Sequence, residues 1–203
     1  MTETLQERAD RLRLDASPEE RLAIAAHELG HYEMAKRAGV QPEGITIGHH
    51  VMDDRSASVM FSNEGIDAGL THSVDQWRQR GRLITDPRES HFFSLNYLKS
   101  LYAGEIAEEV ITGIPTSSGV FDTRDARRWM MQHDMPDFVI YQTEAQVKSR
   151  ARDELSDPET KRKLTYAAQQ LADHHFDGKK HPASTIEHYL NGGTRDNLPT
   201  EER

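Results

Sequence analysis

Apolar positions in this chain recur mostly at helical spacing. After Ser17, the residues Leu22, Ala25, Ala26, Leu29, Met34 and Ala35 give one long helical stretch that no proline interrupts. Ser17-Pro18-Glu19-Glu20 is a full start signal, with Ser17 as N-cap, proline at the first helical position and Glu20 closing a capping box. Lys36 and Arg37 suit the negative end of the helix dipole, and Gly39 supplies a stop. The pattern predicts a helix from about Pro18 to Ala38. Ile45-Thr46-Ile47 and Ala57 to Phe61 are short, apolar-rich runs that predict two strands of a small sheet. Thr71 to Pro87 holds Trp77 among charges and predicts a short helix ending before Asp86-Pro87.

Glu89 to Thr112 has the strongest helical pattern, carried by Phe92, Leu95, Leu98, Ile106 and Val110 and stopped by Gly113 and Pro115. Asp122 or Thr123 can cap a following helix that carries Ala126, Trp129 and Met130. Asp137 to Phe176 reads as a helical hairpin broken at Ser156-Asp157-Pro158-Glu159, and Pro182 to Leu190 as one more short helix. Residues 1–16 read as a polar arm, and 191–203, poor in apolar residues, as a flexible tail. The expected fold is mainly α with a small β-sheet, an α+β domain over residues 17–190 with a C-terminal helical hairpin.

Composition narrows the chemistry. At 203 residues the chain is long enough for one domain with a real core. It has no cysteine, which excludes disulfides and thiolate metal sites and makes a cytoplasmic setting the simplest expectation. No apolar run approaches the length of a membrane span, and Met1 to Asp15 lacks the apolar stretch of a signal peptide. A net charge of −9 argues against nucleic acid as the main partner. Any metal here must therefore be held by histidine and carboxylate.

His27-Glu28-Leu29-Gly30-His31 offers that chemistry in the middle of the first helix. Residues four apart lie one above the other on a helix face, so His27 and His31 can take adjacent corners of one metal tetrahedron. Glu28 can then act as general base toward a water activated by zinc. The bland alternative is two ordinary half-buried histidines. Gly30 costs about 1 kcal/mol of helix propensity in that position, which points to close approach of another backbone or of a ligand. His49-His50 and His174-His175 stand in polar settings and read as exposed. Arg124, Arg127 and Arg128 read as a solvated helix face, with binding of substrate carboxylates as the alternative.

Three blocks give this chain a resemblance to a known family. They are Ala26-His27-Glu28-Leu29-Gly30-His31 with Ile45-Thr46-Ile47 after it, Leu101 to Gly113 with its Gly104-x-x-Ala107-Glu108-Glu109 core, and Ser118-Gly119-Val120-Phe121-Asp122 followed by Ala126-Arg127. In order and content they resemble the zincin-like peptidase domain of the FtsH type, the ATP-dependent zinc proteases, over about Ser17 to Leu190. The resemblance implies Zn²⁺ held by His27, His31 and Asp122, with Glu28 as the catalytic base. On the residues alone, Asp122 is equally an N-cap, and Glu105, Glu108 and Glu109 are rival carboxylates or outer partners of a ligand histidine.

The chain departs from the family pattern in places. Phe121 stands where the family has asparagine, the loop from Gly119 to Asp122 is one residue shorter, and roughly Gly65 to Pro87 is extra. No Gly-x-x-x-x-Gly-Lys-Ser/Thr phosphate loop occurs, so no ATPase module is expected. The expected function is zinc-dependent hydrolysis of unfolded or extended polypeptide, with an ATPase or unfoldase acting in trans and self-association as possible partnerships. Substrate is expected to pair along the strand edge at Val59, Met60 and Phe61. A catalytically silent zinc-binding fold, serving as a binding or regulatory module, is the alternative, as is a hydrolase of small amides.

Overall fold

The computed structural model describes residues 16–48, 57–61, 87–114, 120–132 and 135–198. Helix α1 (Pro18–Arg37) starts as its sequence dictates. Ser17 Oγ accepts from the Glu20 amide at 3.2 Å, and the Glu20 carboxylate accepts from the Ser17 amide at 2.9 Å, which completes the capping box. Lys36 and Arg37 occupy the last turn, and Gly39 follows with φ 86°, the left-handed conformation that glycine adopts without strain.

The chain then forms strands β1 (Pro42–Ile47) and β2 (Ala57–Phe61), antiparallel with Ile45 opposite Val59. Helix α2 (Pro87–Thr112) begins two residues before the expected Glu89, with a proline at its first position. Helix α3 (Val120–Gln132) also starts early, so that Asp122 lies inside its first turn. Helices α4 (Asp137–Leu155) and α5 (Pro158–His174) part at the expected break, but they do not pack along each other as the expected hairpin would, because α4 lies on α2 and α5 on α1. The Asp157 carboxylate caps α5 by accepting from the Thr160 amide at 3.0 Å.

A third strand, β3 (Lys180–Pro182), departs from the sequence reading, which began a helix at Pro182. It pairs antiparallel with β1, giving sheet order β2-β1-β3, and the last helix α6 (Ala183–Leu190) starts one residue later. Three residues are too few to show an alternating pattern, so this strand exists by pairing and not by propensity. Part of the segment read as a flexible tail is also held in place. Leu198 is buried in the core, and Tyr166 Oη donates to the Gly193 carbonyl at 2.9 Å.

Helix α1 is the centre of the fold. It crosses α2, rests on α5, and has the sheet beside it, while α4 packs on the other side of α2. Ala25, Ala26 and Leu29 of α1 are fully buried with Leu98, Ala103, Ile106 and Ala107 of α2. Each fully buried leucine or isoleucine in this core contributes about 1.5–3 kcal/mol. Small residues make the crossing close. A Cβ on Gly30 would overlap the Ala103 carbonyl oxygen and stand 2.6 Å from Ala107 Cβ, so the close approach expected at Gly30 is that of the α2 backbone. Among the described residues, no helix is long and apolar enough to cross a membrane.

Candidate metal centre

The close crossing sets the first turns of α3 and the middle of α2 against the face of α1 that carries His27 and His31. His27 Nε2 lies 3.1 Å from His31 Nε2 and 3.1 Å from Asp122 Oδ2, and His31 Nε2 lies 3.4 Å from the same carboxylate oxygen. Asp122 is therefore not simply a cap. Its carboxylate reaches across to α1, and of the rival acidic residues only one comes to the site. Glu108 is buried with Oε2 3.4 Å from His27 Nδ1. Glu105 and Glu109 turn to α4, where they pair with Lys148 and Arg152 at 2.5 Å each.

The outer nitrogens of the two rings fix what the inner ones can do. His31 Nδ1 lies 2.6 Å from the carbonyl oxygen of Ser100. A carbonyl only accepts, so His31 carries its proton on Nδ1 and turns a lone pair at Nε2 toward the site. His27 is placed the same way, with Nδ1 toward the Glu108 carboxylate. Two ring nitrogens and a carboxylate oxygen then converge within hydrogen-bond distance of one another, an arrangement that calls for positive charge among the three, either a proton on a ring or a metal ion.

The electrostatics make the same demand. Burial lowers the affinity of His27 for a proton, but hydrogen bonds to Asp122 and Glu108 and the charge of Glu28 outweigh it and lift the imidazole to about 10. Burial also raises Asp122, whereas its contacts with His27 and His31 hold the carboxyl well below the usual range. Three carboxylates thus surround a mostly buried pair of imidazoles and favour positive charge between them. A proton on His27 answers this in part; a dication answers it more fully. His27, His31 and Asp122 together can hold a metal ion. Glu28 is buried beside them, with its charge acting on His27.

Two contributors to the site escape the sequence reading. The Ser100 carbonyl is a backbone atom and leaves no trace in residue type. Gly104 does leave one, since it is a helix-interior glycine like Gly30. A Cβ there would overlap His31 Nε2 and stand 2.5 Å from His27 Nε2.

The remaining candidates fall elsewhere. Arg127 pairs with Glu144 at 2.9 Å, while Arg124 and Arg128 are exposed beside Asp125, which fits the solvated-face reading. His175 corrects the expectation of an exposed histidine pair. His174 is exposed, but His175 is 2% exposed, with Nε2 2.6 Å from Tyr189 Oη. His49, His50 and the 65–86 part of the extra segment lie outside the described residues, as do residues 1–15 of the arm, whose last residue, Ala16, is buried. Val59, Met60 and Phe61 lie on β2, one of the two edge strands of the sheet, and β2 runs beside α1. No protein-family model matches this chain, and no curated protein matches it.

Proposed function

We propose that this chain is a zinc-dependent endopeptidase of the FtsH peptidase type that hydrolyses unfolded or extended polypeptide. The observation that carries the reading is the convergence of His27 Nε2, His31 Nε2 and Asp122 Oδ2, with Glu28 next to the first ligand. Tetrahedral zinc with bonds of about 2.0–2.1 Å places its ligand atoms roughly 3.3–3.4 Å apart. The three separations here, 3.1, 3.1 and 3.4 Å, fit that edge length closely. Three protein ligands are also the number typical of a catalytic zinc, which keeps a position open.

A zinc ion held there supplies Lewis-acid polarisation of the scissile carbonyl and of the attacking water, whose pKa falls to roughly 7. The rest of the work belongs to side chains of this chain. Glu28 takes a proton as the water oxygen bonds to the carbonyl carbon, then returns it to the amide nitrogen as the carbon–nitrogen bond breaks. Glu108 and the Ser100 carbonyl hold the two imidazoles in the tautomer that faces the ion. Among the described residues nothing pairs with the outer edge of β2, so an extended peptide can add there as a further strand. The 203 residues hold no phosphate loop. On this reading the substrate reaches the site as an unfolded segment.

The test compares wild type with Glu28→Gln, both loaded with zinc, on an unfolded casein-type substrate. Cleavage by wild type and its loss in Glu28→Gln, with about one zinc per chain in both, is the expected result. Zinc uptake without cleavage by wild type would favour the silent binding module.

A further inference from the structure

We propose that Gly104 is a positioning residue of the metal centre: its missing side chain leaves both imidazoles free to turn Nε2 toward the ion. The proposal rests on the metal reading above and extends it to a residue that carries no donor atom. Helix α2 crosses α1 with Gly104 directly against the two rings. A Cβ built at Gly104 would overlap His31 Nε2 and would stand 2.5 Å from His27 Nε2 and 2.7 Å from His27 Cδ2. A real Cβ essentially never makes contacts that short, so with any side chain at this position something must move.

What moves decides the outcome, and the two glycines of the crossing differ here. At Gly30 the obstructing atoms are the Ala103 carbonyl and Ala107 Cβ, both fixed to the α2 backbone. A side chain there forces the helices apart. At Gly104 the nearest obstructing atoms are the ends of two imidazoles, and side chains rotate far more cheaply than helices separate. Rotation takes His31 Nδ1 off the Ser100 carbonyl and both Nε2 atoms off the line to Asp122. The fold then survives and the ligand set does not. Alanine at position 104 even improves the helix, because alanine has a better helix propensity than glycine.

The experiment measures metal stoichiometry by equilibrium dialysis against Zn²⁺, the visible absorption of the Co²⁺-loaded protein, and the melting temperature in chelator. It uses wild type, Gly104→Ala and Gly30→Ala. Wild type should bind about one ion per chain with the intense visible bands of tetrahedral Co²⁺. Gly104→Ala should lose those bands and bind at least ten-fold more weakly, yet melt in chelator at or above the wild-type temperature. Gly30→Ala should melt well below wild type, with or without metal.

Wild-type affinity in Gly104→Ala would overturn the proposal and leave the metal centre standing. A large drop in the chelator melting temperature of Gly104→Ala would overturn it too, by making Gly104 a packing residue of the same kind as Gly30. A wild-type protein that binds neither ion would sink the metal reading itself, and the proposal with it.

Discussion

His27, His31 and Asp122 form one group of histidines with a carboxylate; His175, His181 and Asp177 form another, just beyond the C-terminus of α5. Composition does not separate them, and both histidine pairs are largely buried. Arrangement does. In the first group the outer nitrogens are occupied by Ser100 and Glu108, which leaves the inner ones converging with Asp122. In the second group each Nε2 has its own separate partner. His175 meets Tyr189 Oη at 2.6 Å, His181 meets Asp177 Oδ1 at 3.0 Å, and the rings pack edge to face with centroids 4.4 Å apart.

The two groups also carry opposite electrostatics. Carboxylates lift His27, whereas burial and the neighbouring His181 ring push His175 down to about 4. Among the described residues only the first group can hold a metal ion. A cluster of ligand-type residues becomes a site when its lone pairs are left over and aimed together. It becomes structure when each Nε2 already has a partner of its own.

Several changes would break or sharpen this contrast. The largest effect is expected from Asp122→Ala, which removes a ligand outright. Its zinc affinity in competitive titration should fall by more than the roughly 10–100-fold typical of an outer-shell partner, while Asp177→Asn should titrate as wild type. Equal losses in the two variants would erase the distinction. Glu108→Gln keeps the shape of the side chain and removes the charge that orients His27. Its affinity should drop by roughly 10–100-fold with the fold unchanged by circular dichroism.

His175 gives a smaller effect, visible in stability. Its folded pKa of about 4 lies below the ordinary 6.5, so the unfolded chain takes up a proton in this window and the folded one does not. The contribution is therefore fully present above about pH 6.5 and is lost as pH falls toward 4, reaching about 1 kcal/mol by pH 5.5. Urea unfolding of chelator-treated protein from neutral pH to about pH 5.5 should show this slope in wild type and a flatter one in His175→Gln. A steeper decline in the variant would reverse the sign of the assignment. The smallest change belongs to Asp177→Asn, whose stability cost should stay under about 1 kcal/mol because the Asp177–His181 pair is partly solvated.

How much of this was legible in the sequence differs by element. The capping box at Ser17, the proline start of α5 and the stop at Gly39 are local, so residue type alone placed α1 and the spans of α4 and α5 well, but not which helices these two pack on. The spacing of His27 and His31 fixed their shared face for the same reason. Asp122 was ambiguous because capping and ligation ask for the same residue at a helix start, and only the position of α1 decides between them. The same limit hid β3, whose three residues are ordered by pairing with β1, and the burial of His175 under Tyr189. Glu108 stood as one of three acidic residues on α2. Helical periodicity narrowed that set without choosing, because the choice depends on which side of α2 faces α1 and which faces α4.

The most direct test of the metal centre is anomalous diffraction at the zinc edge from crystals of the zinc-loaded chain. One peak per chain among His27 Nε2, His31 Nε2 and Asp122 Oδ2, with no sulfur ligand, is the predicted result. No peak there, or a peak at His175 and His181 in its place, would contradict the account.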